Sequence, residues 1–261
     1  MKRLLALLPI VAALAIAPRA HAAQRTTLHV FAAASLVDAF DAIARAFEKS
    51  DPDVRVRIEY GGTQQLAAQI EHGALADVFA SADERWMGSL VAHELVAGEP
   101  VVFAGNTLVF ITPKSNPGRI GGIKDAARSG VKVILGAESV PVGAYTRLAL
   151  ARLSQDPAFG EDFGRRVQKN VVSQEENVRA LVSKLALGEA DAGFAYRSDV
   201  THATARHVDA IDLPPSARIV ARYPIAAIAG RQTALAKRFI DFVRSPAGQE
   251  LLAREKFLPA P

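Results

Sequence analysis

The stretch LHVFAAASLVDAF, Leu28 to Phe40, decides how this chain is read. Its first half, together with Thr27, is an apolar run of strand length that ends at Ala32. From Leu36 to Phe47 the apolar residues fall at 36, 37, 39, 40, 43, 44 and 47, the 3.6-residue period of a helix buried along one face. A strand that feeds directly into a helix is the repeating unit of an α/β sheet. The join, Ala32-Ala33-Ala34-Ser35, has no glycine-rich loop, lysine or acid. It offers one hydroxyl and bare backbone.

The same alternation continues outward. DVRVRIEY (Asp53 to Tyr60) alternates apolar and charged residues, as a half-exposed strand does. Gly61-Gly62 ends it, and a helix is predicted from Leu66 to Ile70, closing near Gly73. ADVFAS reads as a short buried strand. Thr107 to Thr112, Val131 to Gly136 and Ala192 to Tyr196 are further strands, with helices at Ala144 to Leu153 and Val178 to Leu187. This order predicts an α/β chain with mostly parallel sheets. Two sheets are expected. NTLVFITPKSNPG, with its Pro/Gly-rich exit, marks a crossing into a second lobe, and Arg218 to Gly230 marks the return. Two helices split at Ser245-Pro246 close over the first lobe.

The N-terminus reads as an export signal. Lys2 and Arg3 precede the apolar run Leu4 to Ala17, and Ala20-His21-Ala22 fits a small-x-small cleavage site. A span of the bilayer needs about 20 apolar residues, and Pro18-Arg19 interrupts this run short of that. Residues 1–22 are therefore expected to be removed. They hold three of the chain's 31 basic residues and no acid, which leaves 28 basic against 27 acidic residues. So even a balance argues against nucleic acid as a partner. The chain has no cysteine. Disulfides, thiolate metal sites and thiol chemistry are excluded.

Four places share one design, a strand or loop end followed by a small or polar residue and then a helix start. They are Ala34-Ser35-Leu36, Gly62-Thr63-Gln64, Pro141-Val142-Gly143 and Glu176-Asn177-Val178. The first turn of a helix has N–H groups without intrahelical acceptors, and the helix dipole adds partial positive charge behind them. Such starts favour anions. Each also has an ordinary reading: Ser35 and Asn177 as N-caps, Thr63 as part of a turn and cap, Pro141 to Gly143 as a loop, Tyr196 as a strand-end residue with a wet hydroxyl.

FAAASL (31–36), QLAAQIEHGALADVFASAD (65–83), ESVPVGAYTRLAL (138–150), SQEENVRALVSKLALGEADAGFAYRSD (173–199) and YPIAAIAG (223–230) together resemble the molybdate-binding periplasmic proteins of ABC transporters. The resemblance runs from about residue 27 to the end. It implies a two-lobed solute-binding fold of the type II class, each lobe a mostly parallel sheet flanked by helices, with two interlobe crossings. Lobe 1 would comprise residues 23–108 and 222–261, and lobe 2 residues 109–221. It implies a periplasmic, monomeric, non-enzymatic protein that binds molybdate or tungstate without a cofactor and passes it to a membrane permease. The implied ligand contacts are the hydroxyls of Ser35, Thr63 and Tyr196 and the backbone N–H groups of Val142 and Val178. Where the family often has a serine-rich stretch this chain has YGGTQQL, and where it has VPAG this chain has VPVG.

A donor-only site suits an unprotonated dianion and disfavours hydrogen phosphate, whose own O–H would face another donor. Sulfate, or another tetrahedral oxyanion, is the alternative ligand. An exported hydrolase with Ser35 as nucleophile is a third reading, without any motif supplying a base. Other features have unremarkable readings. Glu175 and Glu176 read as first-turn helix acids, and a carboxylate contact to the ligand from Glu176 or Asp199 is a minor alternative. His202 and His207 read as solvated loop residues, Trp86 as a half-buried helix residue, and Arg55 and Arg57 as the outer face of a strand.

Overall fold

The computed structural model describes residues 25–201 and 203–260. The expected export signal, residues 1–22, and His202 lie outside the described residues.

The opening stretch forms β1 (Thr26–Ala33), a single 3₁₀ turn (Ala34–Leu36) and α1 (Val37–Ser50). β1 is buried from Val30 onward, and α1 turns Ala39, Phe40, Ile43, Ala44 and Phe47 inward. β2 (Val54–Gly61) follows with Arg55 and Arg57 outward, then α2 (Thr63–Glu71), β3 (Val78–Ala80) and α3 (Glu84–Ala92). β1 pairs in parallel with both β2 and β3. One core layer packs α1 against the sheet through Phe40, Phe47, Phe103 and Phe239, with ring centroids 5.3–6.1 Å apart. On the opposite face Phe31, Leu66, Ile70, Phe79, Met87 and Leu90 pack α2 and α3. Each such buried side chain stabilises the fold by about 1.5–3 kcal/mol.

The chain then enters β4 (Val101–Pro113), whose two halves belong to different parts of the structure. Val101 to Thr107 pairs with β9 (Val220–Ala227), and Leu108 to Pro113 pairs with β7 (Ala192–Tyr196) and β8 (Val208–Asp212). The second part holds β5 (Val133–Gly136), α4 (Pro141–Gln155), α5 (Phe163–Lys169), β6 (Val171–Glu175) and α6 (Val178–Ala186). β5 lies parallel to β6 and β7. The strand path is β2-β1-β3-β9-β4-β7-β5-β6. Pairing is parallel within the βα units of each half and antiparallel wherever β4 or β9 takes part. The end of the chain forms α7 (Thr233–Arg244), α8 (Pro246–Arg254) and β10 (Leu258–Pro259), which pairs with β4.

β4 carries the chain between the two parts as one strand that starts at Val101, six residues before the strand read from the sequence at Thr107. The GN pair at 105–106 resembles a break, yet Gly105 stays in the ladder opposite Arg222, where a Cβ would lie 3.3 Å from Leu258 and Val220. Helices α2 and α4 begin three residues before their apolar pattern does, at Thr63 and Pro141. First-turn residues point at the cleft rather than the core, and proline fits the first position because the N–H it lacks would be unpaired there.

Candidate functional site

Four elements end at one place. The turn after β1, the start of α2, the start of α4 and the start of α6 all contribute to a pocket lined by Ala33 to Ser35, Gly61 to Thr63, Ala82, Val140 to Val142, Asn177, Val178 and Tyr196. The cavity is ≈ 20 Å³. One water centre occupies about 10–15 Å³ on such a measure, so the space fits one compact ligand rather than a sugar or peptide. No lining residue carries a formal charge.

The five residues picked from the sequence, Ser35, Thr63, Val142, Val178 and Tyr196, all line this one pocket, and all are at least 96 % buried. Their hydrogen-bonding states differ. Ser35 Oγ lies 2.9 Å from the Tyr223 hydroxyl, so Ser35 does not serve as a side-chain N-cap. Thr63 Oγ1 accepts from the Ala82 N–H at 3.2 Å, which leaves its own proton free, and the N-cap of α2 is Gly62 rather than Thr63. Proline has no N–H, so Val142 presents the first one of α4. Asn177 caps α6 by accepting from Ala180 N–H at 2.9 Å, and Val178 opens that helix. The Tyr196 hydroxyl is buried and has no hydrogen-bond partner. An orphaned buried hydroxyl costs roughly 1–3 kcal/mol unless something outside the chain completes it.

Glycine permits the crowding. A Cβ on Gly143 would sit 2.0 Å from the Ala137 carbonyl, so α4 reaches the end of β5 only without a side chain there. A Cβ on Gly62 would sit 2.4 Å from the Glu176 carbonyl, across the cleft.

Beneath the pocket Tyr145, Tyr196 and Tyr223 stack edge to face, with centroids 6.5 and 5.9 Å apart. Burial pushes all three phenols up, Tyr145 to about 12 and the other two well above their ordinary value. They are neutral donors at any physiological pH. Asp199, also fully buried, is pushed up to about 7 by burial, against the pull of the Arg179 guanidinium 3.8 Å away. Its Oδ2 accepts from the Tyr196 N–H at 3.0 Å.

This arrangement has the chemistry of a receptor for a small solute, and relatives bear on it directly. The pattern of bacterial extracellular solute-binding proteins matches residues 28–257. The chain belongs to this family. It is similar to the molybdate-binding protein ModA of Mycobacterium tuberculosis, 38% identical over 229 residues that cover 87% of this chain and 83% of that one. Among solved structures it resembles the periplasmic molybdate-binding protein of Azotobacter vinelandii, with a TM-score of 0.73, 20% identity, and coverage of 90% of this chain and 100% of that one. It also resembles the sulfate-binding protein SubI of Mycobacterium tuberculosis, with a TM-score of 0.80, 22% identity, and coverage of 90% and 87%. These likenesses fix the type II two-lobed fold. Members of the family are binding proteins rather than enzymes, and Ser35 here faces a tyrosine, with no histidine among the lining residues.

In this solute-binding protein the two halves are bonded across the cleft. Gln64 Nε2 donates to the Glu176 carbonyl at 2.7 Å, and Gln65 Nε2 donates to Glu176 Oε2 at 2.7 Å. Trp86 Nε1 donates to the Ser139 carbonyl at 2.9 Å. Arg179 donates to the Ala34 carbonyl at 3.3 Å and pairs with Asp38. Two cations directly follow pocket residues, and both are committed elsewhere: Arg179 to the clasp and Arg197 to Asp212. The two glutamates are not first-turn helix acids. Glu175 ends β6, accepting from Lys184 at 2.7 Å and Ser173 at 2.6 Å, and Glu176 faces Gln65. Tyr223 and Asn106, which stand directly behind the pocket, were not legible as site residues. Tyr223 sits inside β9 among apolar neighbours, and Asn106 lies just before the strand expected from Thr107.

Proposed function

We propose that this protein captures molybdate, and tungstate with it, between its lobes in the periplasm and presents it to the membrane permease of an ABC transporter. The observation that carries the reading is the uncharged pocket ringed by helix starts, with Tyr196 in its lining and the Tyr196 hydroxyl buried and unpartnered. The name of the Mycobacterium tuberculosis relative supports molybdate as the ion.

In this reading the hydroxyls of Ser35, Thr63 and Tyr196 and the N–H groups of Val142 and Val178 each donate to an oxygen of the ion. Further first-turn N–H groups of Ser35 and Thr63 are within the same design. Hydrogen bonds to a charged group contribute about 1.5–3 kcal/mol each. Five to seven of them reach the ~8 kcal/mol of micromolar binding after association costs. A tetrahedral dianion uses every donor and brings no proton of its own. The protein acts as a monomer, with lobe 1 formed by residues 23–108 and 222–261 and lobe 2 by 109–221. Residues 1–22 are the cleaved export signal.

Sulfate is the competing ligand, because it too is an unprotonated dianion and the sulfate-binding SubI shares this fold. Titration calorimetry with molybdate, tungstate, sulfate and phosphate decides between them. Molybdate and tungstate are expected to bind at micromolar concentration or tighter, with sulfate at least about 100-fold weaker. Sulfate binding as tight as molybdate would remove the molybdate assignment.

A further inference from the structure

Behind Ser35 runs a chain of buried polar groups that do not touch the pocket. Ser35 Oγ lies 2.9 Å from Tyr223 OH on β9. Asn106, in the middle of the crossing strand β4, turns its Nδ2 toward Tyr223 OH at 3.4 Å and toward Ser198 Oγ at 2.8 Å. Ser35, Asn106, Ser198 and Tyr223 are all at least 97 % buried. None of the last three lines the pocket.

The direction of these bonds follows from valence. An amide nitrogen only donates, so the Tyr223 oxygen accepts from Asn106. Among the described residues Ser35 Oγ is the one acceptor within reach of the phenolic proton, so the phenol donates to Ser35. Burial keeps that proton on Tyr223. Once Ser35 Oγ accepts from Tyr223, the Ser35 proton points at the cavity. The arrangement leaves Asn106 Oδ1 buried without a partner. Turning the amide over would pair that oxygen with the phenol, draw the Ser35 proton toward Tyr223 and present the ligand with an acceptor. The unpaired oxygen therefore accompanies the one orientation that keeps Ser35 a donor.

We infer that Tyr223, oriented by Asn106, is a positioning and specificity-determining residue that locks Ser35 as a hydrogen-bond donor and so excludes oxyanions that carry a proton. The inference rests on the oxyanion reading of the pocket. A ligand O–H at Ser35 would need the second lone pair of Oγ to face it, which turns the Ser35 proton away from the ligand. Among the described residues the one other partner of that oxygen is the Tyr223 phenol, which already donates to it and accepts an amide N–H. Molybdate and sulfate, with no O–H, meet no such conflict. Hydrogen phosphate and hydrogen arsenate do.

The test is calorimetry, with competition against molybdate for weak ligands, on the wild type, Tyr223→Phe, Ser35→Ala and the double variant at about pH 7.5. Phenylalanine keeps the ring and its packing on Phe103 and Phe257, so the variant is expected to fold, as thermal melts will report. Freed from Tyr223, Ser35 can accept as well as donate. In Tyr223→Phe the ratio of molybdate to phosphate affinity is expected to fall ~10-fold or more, from stronger phosphate and weaker molybdate binding together. In the Ser35→Ala background Tyr223→Phe should leave that ratio unchanged, because the tyrosine acts through the serine. An unchanged ratio in Tyr223→Phe, or the same change with Ser35 absent, overturns the inference while leaving the site intact. Unchanged molybdate affinity in Ser35→Ala instead overturns the site reading, and the inference with it. Asn106→Asp supplies a second measurement. An acceptor-only side chain should reverse the bonds and shift preference toward protonated oxyanions, and a preference as strict as wild type counts against the mechanism.

Discussion

Gln65 of α2 and Glu176, the residue after β6, stand 111 positions apart in the chain and are joined by a 2.7 Å hydrogen bond across the mouth of the pocket. With the Gln64 bond to the Glu176 carbonyl it forms a clasp between α2 and the turn after β6. Truncating both glutamines, Gln64→Ala with Gln65→Ala, is expected to weaken oxyanion binding by roughly 3- to 10-fold, mostly through faster release. Stopped-flow dissociation measures it. An off-rate equal to wild type would show that the clasp does not contribute to retention.

The hydroxyls facing the pocket are expected to carry separable contributions. Ser35→Ala and Tyr196→Phe should each weaken molybdate binding by about 1–3 kcal/mol, or ~5- to 150-fold. Tyr196→Phe has a second signature. Its hydroxyl makes no bond within the protein, so the ligand-free variant should melt no lower than wild type. Full affinity in both variants would take these hydroxyls out of the site.

Closure depends on an absent side chain. A Cβ at Gly62 would come 2.4 Å from the Glu176 carbonyl, a backbone contact between the two halves, and 2.5 Å from the end of the Gln64 side chain, which can move aside. Gly62 has φ −62°, so alanine strains no backbone there. Gly62→Ala is therefore expected to lose ~10-fold or more in affinity with little change in the ligand-free melting temperature. A Gly62→Ala protein that binds normally would mean that the halves approach less closely in the bound form.

Asp199 gives the stability of the protein a pH dependence of definite sign. Burial raises its carboxyl from the ordinary 3.8 to about 7. Between those values the folded chain holds a proton that the unfolded chain has lost. The stabilisation is thus complete below about pH 4 and is lost as the pH rises through about 7. Melting temperatures of wild type and Asp199→Asn, compared from roughly pH 5 to 8.5, should show wild type losing several degrees relative to the variant up to about pH 7.5, then running level. A constant difference across that range would mean that Asp199 does not titrate there.

Much of the fold could be read from periodicity because the buried faces are long and regular. α1 and β1 follow their patterns to within two or three residues, and the Ser245-Pro246 junction divides α7 from α8 as expected. The half-exposed strands β6 and β8 were not expected, since short segments with mixed faces lack a clear period. The first half of β4 was hidden by Gly105-Asn106. Ser35, Thr63, Val142, Val178 and Tyr196 were named by the family resemblance, each having an ordinary local reading as well, and the structure lines one pocket with all five. Their gathering around one pocket depends on pairings between distant segments. Tyr223 and Asn106 gave no such signal, because their significance lies in which hydrogen atom each supplies.

The position of Asn106 on β4 has a mechanical consequence. β4 and β9 are the strands through which the chain passes between its two halves, and they also hold the amide and the phenol behind Ser35. Any rotation of one half against the other must flex these same strands. On the reading proposed above, letting the ion go and disturbing the proton order behind Ser35 would be a single movement, so selectivity would lapse at release and return when the halves next close.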